Sequence, residues 1–326
     1  MSRRLLASAV FVLVAIPSLA GQARQWTPPR TADGQPDLQG FWTNATYTPL
    51  ERPKNVTKEL YTPEEAADVE KRLAAEDAAQ TEPGTIPDVH YDFTQFGLDT
   101  HQAAYASNRR TSLIVDPPDG KLPPLSAEGR TRAAERAAYE KRVGRWDSAQ
   151  ANQLDDRCVI FAGAGPPMMP QSYNSNYQIV QTAGYVMILF EIAHDARIIP
   201  LDGRPHVHGD LRQWIGDSRG RWDGDTLVVE TTNFNGKNSL NGASERLKVT
   251  ERFTRVDADT IRYQFTMDDP STWTRPWSAE LPMRKTTGPL FEHACHEGNY
   301  GLYNTLAGAR LAEKKAAEEA AKKGSK

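Results

Sequence analysis

The sequence predicts a mainly β protein, built as an antiparallel up-and-down barrel or as a sandwich. From Cys158 onward, apolar and polar residues alternate with a period of two, which is typical of antiparallel strands. Three pairs of such segments flank short turns rich in Gly and Asp at 183–184, 223–225 and 257–259, which indicates hairpins. No repeat of fixed period occurs, so propellers and solenoids are disfavoured. We expect about eight to ten strands, with WSAELPMRK and FEHACHE as the last two.

Helices are expected on either side of the β segments. The motif TPEE combines an N-cap, a helix-start proline and a capping-box acid, which predicts a helix over 63–79. A second helix is expected from Ser126 to about residue 143. The polar tail pairs Glu with Lys at i,i+4 spacing, which predicts a polar helix over 307–326.

The N-terminus has the pattern of a secretory signal peptide. Arg3 and Arg4 precede an apolar run that ends in Ser-Leu-Ala, a small-residue cleavage pattern. The sequence leaves the general secretory and twin-arginine routes open. We expect a periplasmic or secreted protein, with no integral membrane segment after signal cleavage. The sequence predicts four parts. The signal peptide is expected at 1–20, and an N-terminal extended and helical segment that packs on the body is expected at 21–150. The antiparallel β domain is expected at 151–306 and the polar tail at 307–326.

Two cysteines remain after the leader, Cys158 and Cys295. An even number of cysteines in an oxidising compartment predicts a disulfide between them. The alternative is a thiolate nucleophile or metal ligand at Cys295, which lies between His293 and His296.

Charge and motifs narrow the function classes. With 39 basic and 42 acidic residues the chain has no basic field for a phosphate backbone, so we expect no nucleic-acid partner. No serine-nucleophile elbow, zinc-protease helix motif, phosphate loop or dinucleotide fingerprint occurs in the sequence. We expect no cofactor and assign no metal site, and the sequence leaves open both whether a metal binds and the oligomeric state.

One carboxylate is expected inside the sheet. In LKVTERFTRV, Glu251 shares a face with the apolar residues Leu247, Val249 and Phe253. A buried carboxylate needs a partner, and arginine is the usual one. The candidate partners are Arg197, Arg204, Arg212 and Arg221. Glu251 is then either half of a structural salt bridge or a general base or ligand anchor.

The next strands give two further expectations about faces. In YVMILFE both faces are apolar, so we expect this strand to be buried on both sides, with Glu191 on the face of Tyr185. In TIRYQFTM, Ile261, Tyr263 and Phe265 begin a clean apolar face that carries no charge.

Histidines supply most of the remaining candidate chemistry. His206 and His208 lie two residues apart, a spacing that suits a metal if a third ligand converges, although Pro205 and Gly209 indicate a solvated loop. His296 could form a dyad only across strands, with Glu251 or Glu191 as its partner. The candidate acid–base residues are Glu251, Glu191, His206 and His296.

The leading functional hypothesis is an exported β-barrel that binds a small, partly apolar or aromatic ligand in its lumen, the interior enclosed by the sheet. It rests on aromatic and methionine side chains that are expected to face inward with few charges. The candidate ligand-binding residues are Tyr185, Arg204, Trp222, Tyr263 and Trp277. The alternatives are a periplasmic acid–base enzyme (lyase, isomerase or hydrolase) and a structural or interaction protein of the envelope.

Several stretches resemble an uncharacterised family of exported bacterial proteins: PDLQGFW, SLIVDPPDGKLPPL, GDSRGRWDGDTLVVETTNF and ACHEGNYGL. That resemblance covers most of residues 30–310 and implies no established activity. The family pattern has one histidine in its DGRPH segment, so His208 departs from it. A looser resemblance is to lipocalin-like barrels, in which a Gly-X-Trp opens the first strand, here Gly40-Phe41-Trp42.

Overall fold

A computed structural model describes residues 26–77, 108–171, 173–237 and 240–324 of the chain. The expected signal peptide at 1–20 lies outside the described residues. The division of the rest of the chain at 150 and 306 stays a prediction.

Within the described residues, ten strands form one antiparallel sheet, as the alternation predicts. The strands are β1 (Gly40–Thr43), β2 (Ile114–Asp116), β3 (Asn176–Gln181), β4 (Tyr185–Phe190), β5 (Ala196–Pro200), β6 (Asp217–Asp223), β7 (Thr226–Thr232), β8 (Lys248–Arg255), β9 (Thr260–Asp268) and β10 (Trp277–Thr286). Their order is β5-β4-β3-β1-β10-β9-β8-β7-β6, and β2 pairs with β10 off this path. Neighbouring strands are thus consecutive in the chain, except that β1 joins the two halves of the meander.

The edge strands β5 and β6 lie side by side, but no backbone ladder joins them within the described residues. Arg197 Nε of β5 donates to Ser218 Oγ of β6 at 2.8 Å. A Cβ atom on Gly220 of β6 would lie only 2.8 Å from Ile199 Cγ2 and 2.7 Å from Leu201 Cδ2. The sheet is therefore not closed by pairing, and glycine lets side chains of one edge rest on the backbone of the other.

The three hairpins occur where the turn signals predict them. β3 pairs with β4, β6 with β7 and β8 with β9 in register across the short turns. Gly224 has φ +58°, the left-handed conformation that favours glycine in a tight hairpin turn. The expected strand FEHACHE is wrong. Residues 295–298 form a turn, in which Cys295 N–H bonds His293 O and Glu297 N–H bonds Ala294 O, so local bonds replace a ladder.

β4 is not buried on both sides. Val186, Ile188 and Phe190 are fully buried, but Tyr185 on the other face is 41% exposed. Antiparallel sheets commonly leave one face in contact with solvent, and two apolar faces in the sequence do not change that.

The described part of the chain also contains three α-helices: α1 (Pro63–Asp77), α2 (Ala127–Arg142) and α3 (Tyr300–Gly324). The predicted capping box is present in α1, since Glu65 N–H donates to Thr62 Oγ1 and Thr62 N–H donates to Glu65 Oε2. The C-terminal helix begins at Tyr300, not at 307, because Asn299 Oδ1 accepts the N–H of Leu302 and caps the first turn. None of the described helices is long and apolar enough to cross a membrane.

The interior of the sheet is filled by its own chain. The largest fully buried side chains include seven aromatic residues on the strands: Trp42, Tyr177, Phe190, Phe253, Tyr263, Phe265 and Trp277. Residues 163–168, which belong to no strand or helix, are buried as well. Met168 in this segment donates its N–H to Tyr263 Oη at 2.8 Å, and its carbonyl accepts from Asn44 Nδ2 at 2.8 Å. Side chains of the sheet thus satisfy the backbone of a buried loop, which water cannot reach.

Candidate functional site

The buried carboxylate that the alternation predicts is present, and it is paired with an arginine. Glu251 is fully buried and Arg197 is 2% exposed. Arg197 Nη1 donates to Glu251 Oε1 at 3.1 Å, and Nη2 donates to Oε2 at 2.5 Å. Arg197 also donates to Ser218 Oγ and Thr231 Oγ1, both at 2.8 Å. Four strands, β5 to β8, meet at this two-point ion pair.

Tyr263 completes this buried network. Its hydroxyl donates to Glu251 Oε1 at 2.8 Å. Burial, and then the adjacent Glu251 carboxylate, raise the pKa of Tyr263 well above its usual value, so the phenol stays protonated as a donor. Each side-chain nitrogen or oxygen of Glu251, Arg197 and Tyr263 thus has a hydrogen-bond partner within the network, which ties strands together and is buried. A catalytic role for Glu251 stays a prediction.

Glu191 is buried at the end of β4 by a different arrangement. Its two carboxylate oxygens accept from Asn174 Nδ2 at 3.1 Å and from Asn176 Nδ2 at 2.9 Å. The chain turns into a short 3-10 helix immediately after this residue. His296 is exposed, and within the described residues no hydrogen bond joins it to Glu191 or to Glu251. The acid–base roles suggested for Glu191 and His296 stay predictions.

His206 has a partner that the sequence analysis missed. Its Nδ1 lies 2.9 Å from Asp217 Oδ2, and its Nε2 lies 3.7 Å from Glu230 Oε1. Partial burial favours protonated Asp217, but hydrogen bonds from Val207 N–H, His206 and Arg219 outweigh it and lower the pKa of Asp217. The ionised carboxylate can only accept, so the proton of a neutral His206 lies on Nδ1 and the lone pair on Nε2.

The side chain of Asn233 holds the segment that follows His206. Asn233, in the left-handed conformation at φ +60°, donates from Nδ2 to the carbonyls of Val207, His208 and Leu211. His208 itself is exposed and pairs with Asp210. Within the described residues, no group of three His, Cys, Asp or Glu side chains is arranged to hold a metal ion.

A cavity of about 420 Å³ lies beside the disulfide between Cys158 and Cys295, the pairing that the sequence predicts. Trp146, Phe161 and Tyr173 supply its aromatic walls. Its polar lining includes Asp155, Asp156 and His293, and Leu302 of α3 covers it from another side. Ligand sites are typically concave and partly aromatic, with volumes of about 300–1,000 Å³. The cavity has the size and the mixed walls that a small organic molecule requires.

His293 links the cavity to the sheet. Its ring makes an edge-on contact with Phe161, with centroids 4.9 Å apart, and its Nδ1 accepts from Ala193 N–H at 3.3 Å. Burial lowers the pKa of His293 below 6.5, so the imidazole is neutral at pH 7. Because Nδ1 accepts, the proton lies on Nε2, which is a hydrogen-bond donor.

The disulfide joins the two chain segments that supply most of the cavity lining. Trp146 to Phe161 belong to one segment, and His293 to Leu302 belong to the other. Besides the disulfide, Asn299 Nδ2 donates to Asp156 O at 3.2 Å and to Cys158 Sγ at 3.3 Å. The cavity therefore depends on a covalent bond between segments 137 residues apart in sequence.

The five candidate ligand-binding residues do not meet in one place. Tyr185 and Arg204 are exposed on the outer side of the sheet, where Arg204 Nη2 donates to Tyr185 Oη at 3.1 Å. Tyr263 and Trp277 are fully buried in the interior. Trp222 is partly buried, and its Nε1 has no hydrogen-bond partner among the described residues. Their part in ligand binding stays a prediction.

Sequence reasoning missed the residues that surround the cavity. Trp146, Asp155 and Phe161 lie in a stretch without periodicity, and Tyr173 precedes β3. The one available signal was the disulfide, because it brings EHACHEGN next to the residues around Cys158. Searches against family models, curated proteins and solved structures find no match to this chain.

Proposed function

We propose that the protein binds a small, partly apolar or aromatic ligand in the cavity beside the Cys158–Cys295 disulfide. The cavity itself carries this proposal: its volume of about 420 Å³ suits a small molecule, and three aromatic side chains form its walls. A neutral His293 offers a hydrogen bond from Nε2 to the polar edge of such a ligand.

The interior of the sheet supports a ligand less well than this cavity does. Its aromatic side chains are fully buried against one another, and residues 163–168 occupy part of the space. Protein interiors packed in this way have few voids larger than a water molecule. The cavity beside the disulfide, and not the interior enclosed by the sheet, is therefore the proposed site for a ligand of the class that the sequence suggests.

We also propose that the sheet is a lipocalin-like barrel and that the protein is periplasmic or secreted. Contact between the edges β5 and β6 supports the barrel, since a sandwich would hold two separate sheets apart. The disulfide supports export, because such bonds persist in oxidising compartments.

The binding proposal is tested by filling the cavity. Leu302→Trp adds a bulky ring at the cavity wall, and Leu311→Trp places the same ring on the exposed surface of the same helix. We would screen simple aromatic fragments by saturation-transfer NMR against the parent protein and both variants. Fragments that bind the parent should lose their signal with Leu302→Trp and keep it with Leu311→Trp.

Two results would reject binding in the cavity. One is the absence of any bound aromatic fragment at millimolar concentration. The other is equal binding to Leu302→Trp and to the parent protein, which would place the ligand elsewhere.

A second candidate function is acid–base catalysis at His206. The Asp217–His206 hydrogen bond at 2.9 Å supports it, since an ionised carboxylate on Nδ1 leaves Nε2 as the basic atom. There, Nε2 would take a proton from water as the water oxygen adds to the acyl carbon of an ester. The tetrahedral intermediate would then re-form the carbonyl and release the ester's leaving oxygen, which is p-nitrophenolate for p-nitrophenyl acetate. The test is hydrolysis of p-nitrophenyl acetate: His206→Gln should lose the activity and His208→Gln should retain it. Equal rates in both variants would reject this function.

A further inference from the structure

The charges around the cavity narrow the class of ligand, if the binding proposed above takes place there. Asp155 and Asp156 are part of its lining, and no Lys or Arg is among the described lining residues. Asp156 pairs with Arg145 at 2.8 Å, but no such ion pair joins Asp155 to a described residue. The exposed carboxylate of Asp155 therefore leaves a net negative charge at the rim, which disfavours anionic ligands.

Arg145 shows how this wall already holds a cation. Its guanidinium lies 4.6 Å from the centroid of the Trp146 ring and donates to Asp156 Oδ2 at 2.8 Å. An aromatic face and a carboxylate together are the usual means by which proteins hold organic cations. The lining of the cavity offers the same combination, with Asp155 as the carboxylate at the rim and Phe161 and Tyr173 as further rings.

We propose that the ligand is an organic cation, with an apolar or aromatic body and a protonated amine. The body packs against Trp146, Phe161 and Tyr173, and the ammonium group lies at the rim beside Asp155. His293 adds no competing positive charge at pH 7, since its imidazole is neutral. This inference rests on the proposed function, because it assigns a chemical class to the ligand of the same cavity.

Three probes of similar shape and different charge test the proposal: benzylamine, benzyl alcohol and benzoate. Binding to the purified protein is measured by titration calorimetry at pH 7. We expect benzylamine to bind most tightly, benzyl alcohol more weakly and benzoate not at all. Asp155→Asn should weaken benzylamine about five-fold, the effect of one charge at a solvated distance of about 4 Å, and should leave benzyl alcohol unchanged.

The control variant is Asp33→Asn, which removes the same charge from an exposed turn outside the cavity lining. It should bind benzylamine as the parent does. Equal affinity for benzylamine and benzyl alcohol, or no effect of Asp155→Asn, would overturn the cation proposal. If Leu302→Trp nevertheless abolishes binding of benzylamine and benzyl alcohol, the cavity remains a ligand site and only the proposed positive charge of the ligand is wrong. Absence of binding by all three probes would overturn both proposals.

Discussion

Replacing Glu251 by Gln should destabilise the protein strongly, because it leaves Arg197 charged and buried without a counterion. Arg197 is 2% exposed and makes two hydrogen bonds to Glu251, whereas Ser218 and Thr231 offer it only neutral oxygens. Breaking a buried ion pair by removing one partner costs about 3–5 kcal/mol. That is a large part of the roughly 5–15 kcal/mol by which a folded domain is stable.

Guanidinium chloride unfolding, followed by tryptophan fluorescence, measures this loss in the free energy of unfolding. Glu230→Gln is the matched control, since the partners of this partly exposed carboxylate among the described residues, Lys248 and His206, are each 3.7 Å away. We expect the control to change stability by less than about 1 kcal/mol. A double variant with Glu251→Leu and Arg197→Met should recover most of the lost stability. A loss below about 1 kcal/mol for Glu251→Gln would refute the structural role of this ion pair.

Three further predictions concern stability. Burial alone would raise the pKa of Asp269, but hydrogen bonds from two backbone amides and two hydroxyls lower it below 3.8. The ionised carboxylate therefore stabilises the fold fully above the unfolded-state pKa, and this stabilisation is lost as pH falls through the lower folded-state pKa. The urea midpoint should fall more steeply below about pH 4 in the parent than in Asp269→Asn, and parallel curves would contradict this. Cys158→Ser should lower the free energy of unfolding by about 5 kcal/mol, because the lost disulfide restricts the unfolded chain over a separation of 137 residues. Urea unfolding of the variant and of the oxidised parent measures this loss, and an unchanged midpoint would refute it. Gly220→Val should lower the melting temperature, at a cost of about 1–3 kcal/mol, because the new Cβ atom would clash with Ile199 and Leu201 of the facing edge. The control Gly209→Ala has open space around it and should not lower the melting temperature. Equal melting temperatures in the two variants would show that the edges are not in contact.

Local sequence signals predicted most of the sheet. Hairpin turns, alternation and capping residues act over a few neighbouring residues, so the three hairpins and the start of α1 could be read directly. Alternation also placed Glu251 inside the sheet and made an arginine necessary. Alternation could not identify Arg197 among the four candidate arginines. The pairing of Arg197 with Glu251 depends on how closely β5 lies beside β6, although no backbone ladder joins these two strands.

The candidate site depended on contacts between distant segments. FEHACHE alternates like a strand, but the disulfide holds Cys295 against Cys158 and a turn forms instead. Asp217 meets His206 only because the connection between β5 and β6 folds back on the start of β6. The cavity likewise needs two segments that the sequence keeps far apart, so no local pattern could show its aromatic walls.

A crystal structure of the purified protein with benzylamine is the most direct test of the central claim, that the cavity beside the disulfide is the ligand site. We expect electron density for the ring between Trp146, Phe161 and Tyr173, with the amine beside Asp155. Density for the probe in the interior of the sheet, or an empty cavity at saturating benzylamine, would contradict the claim.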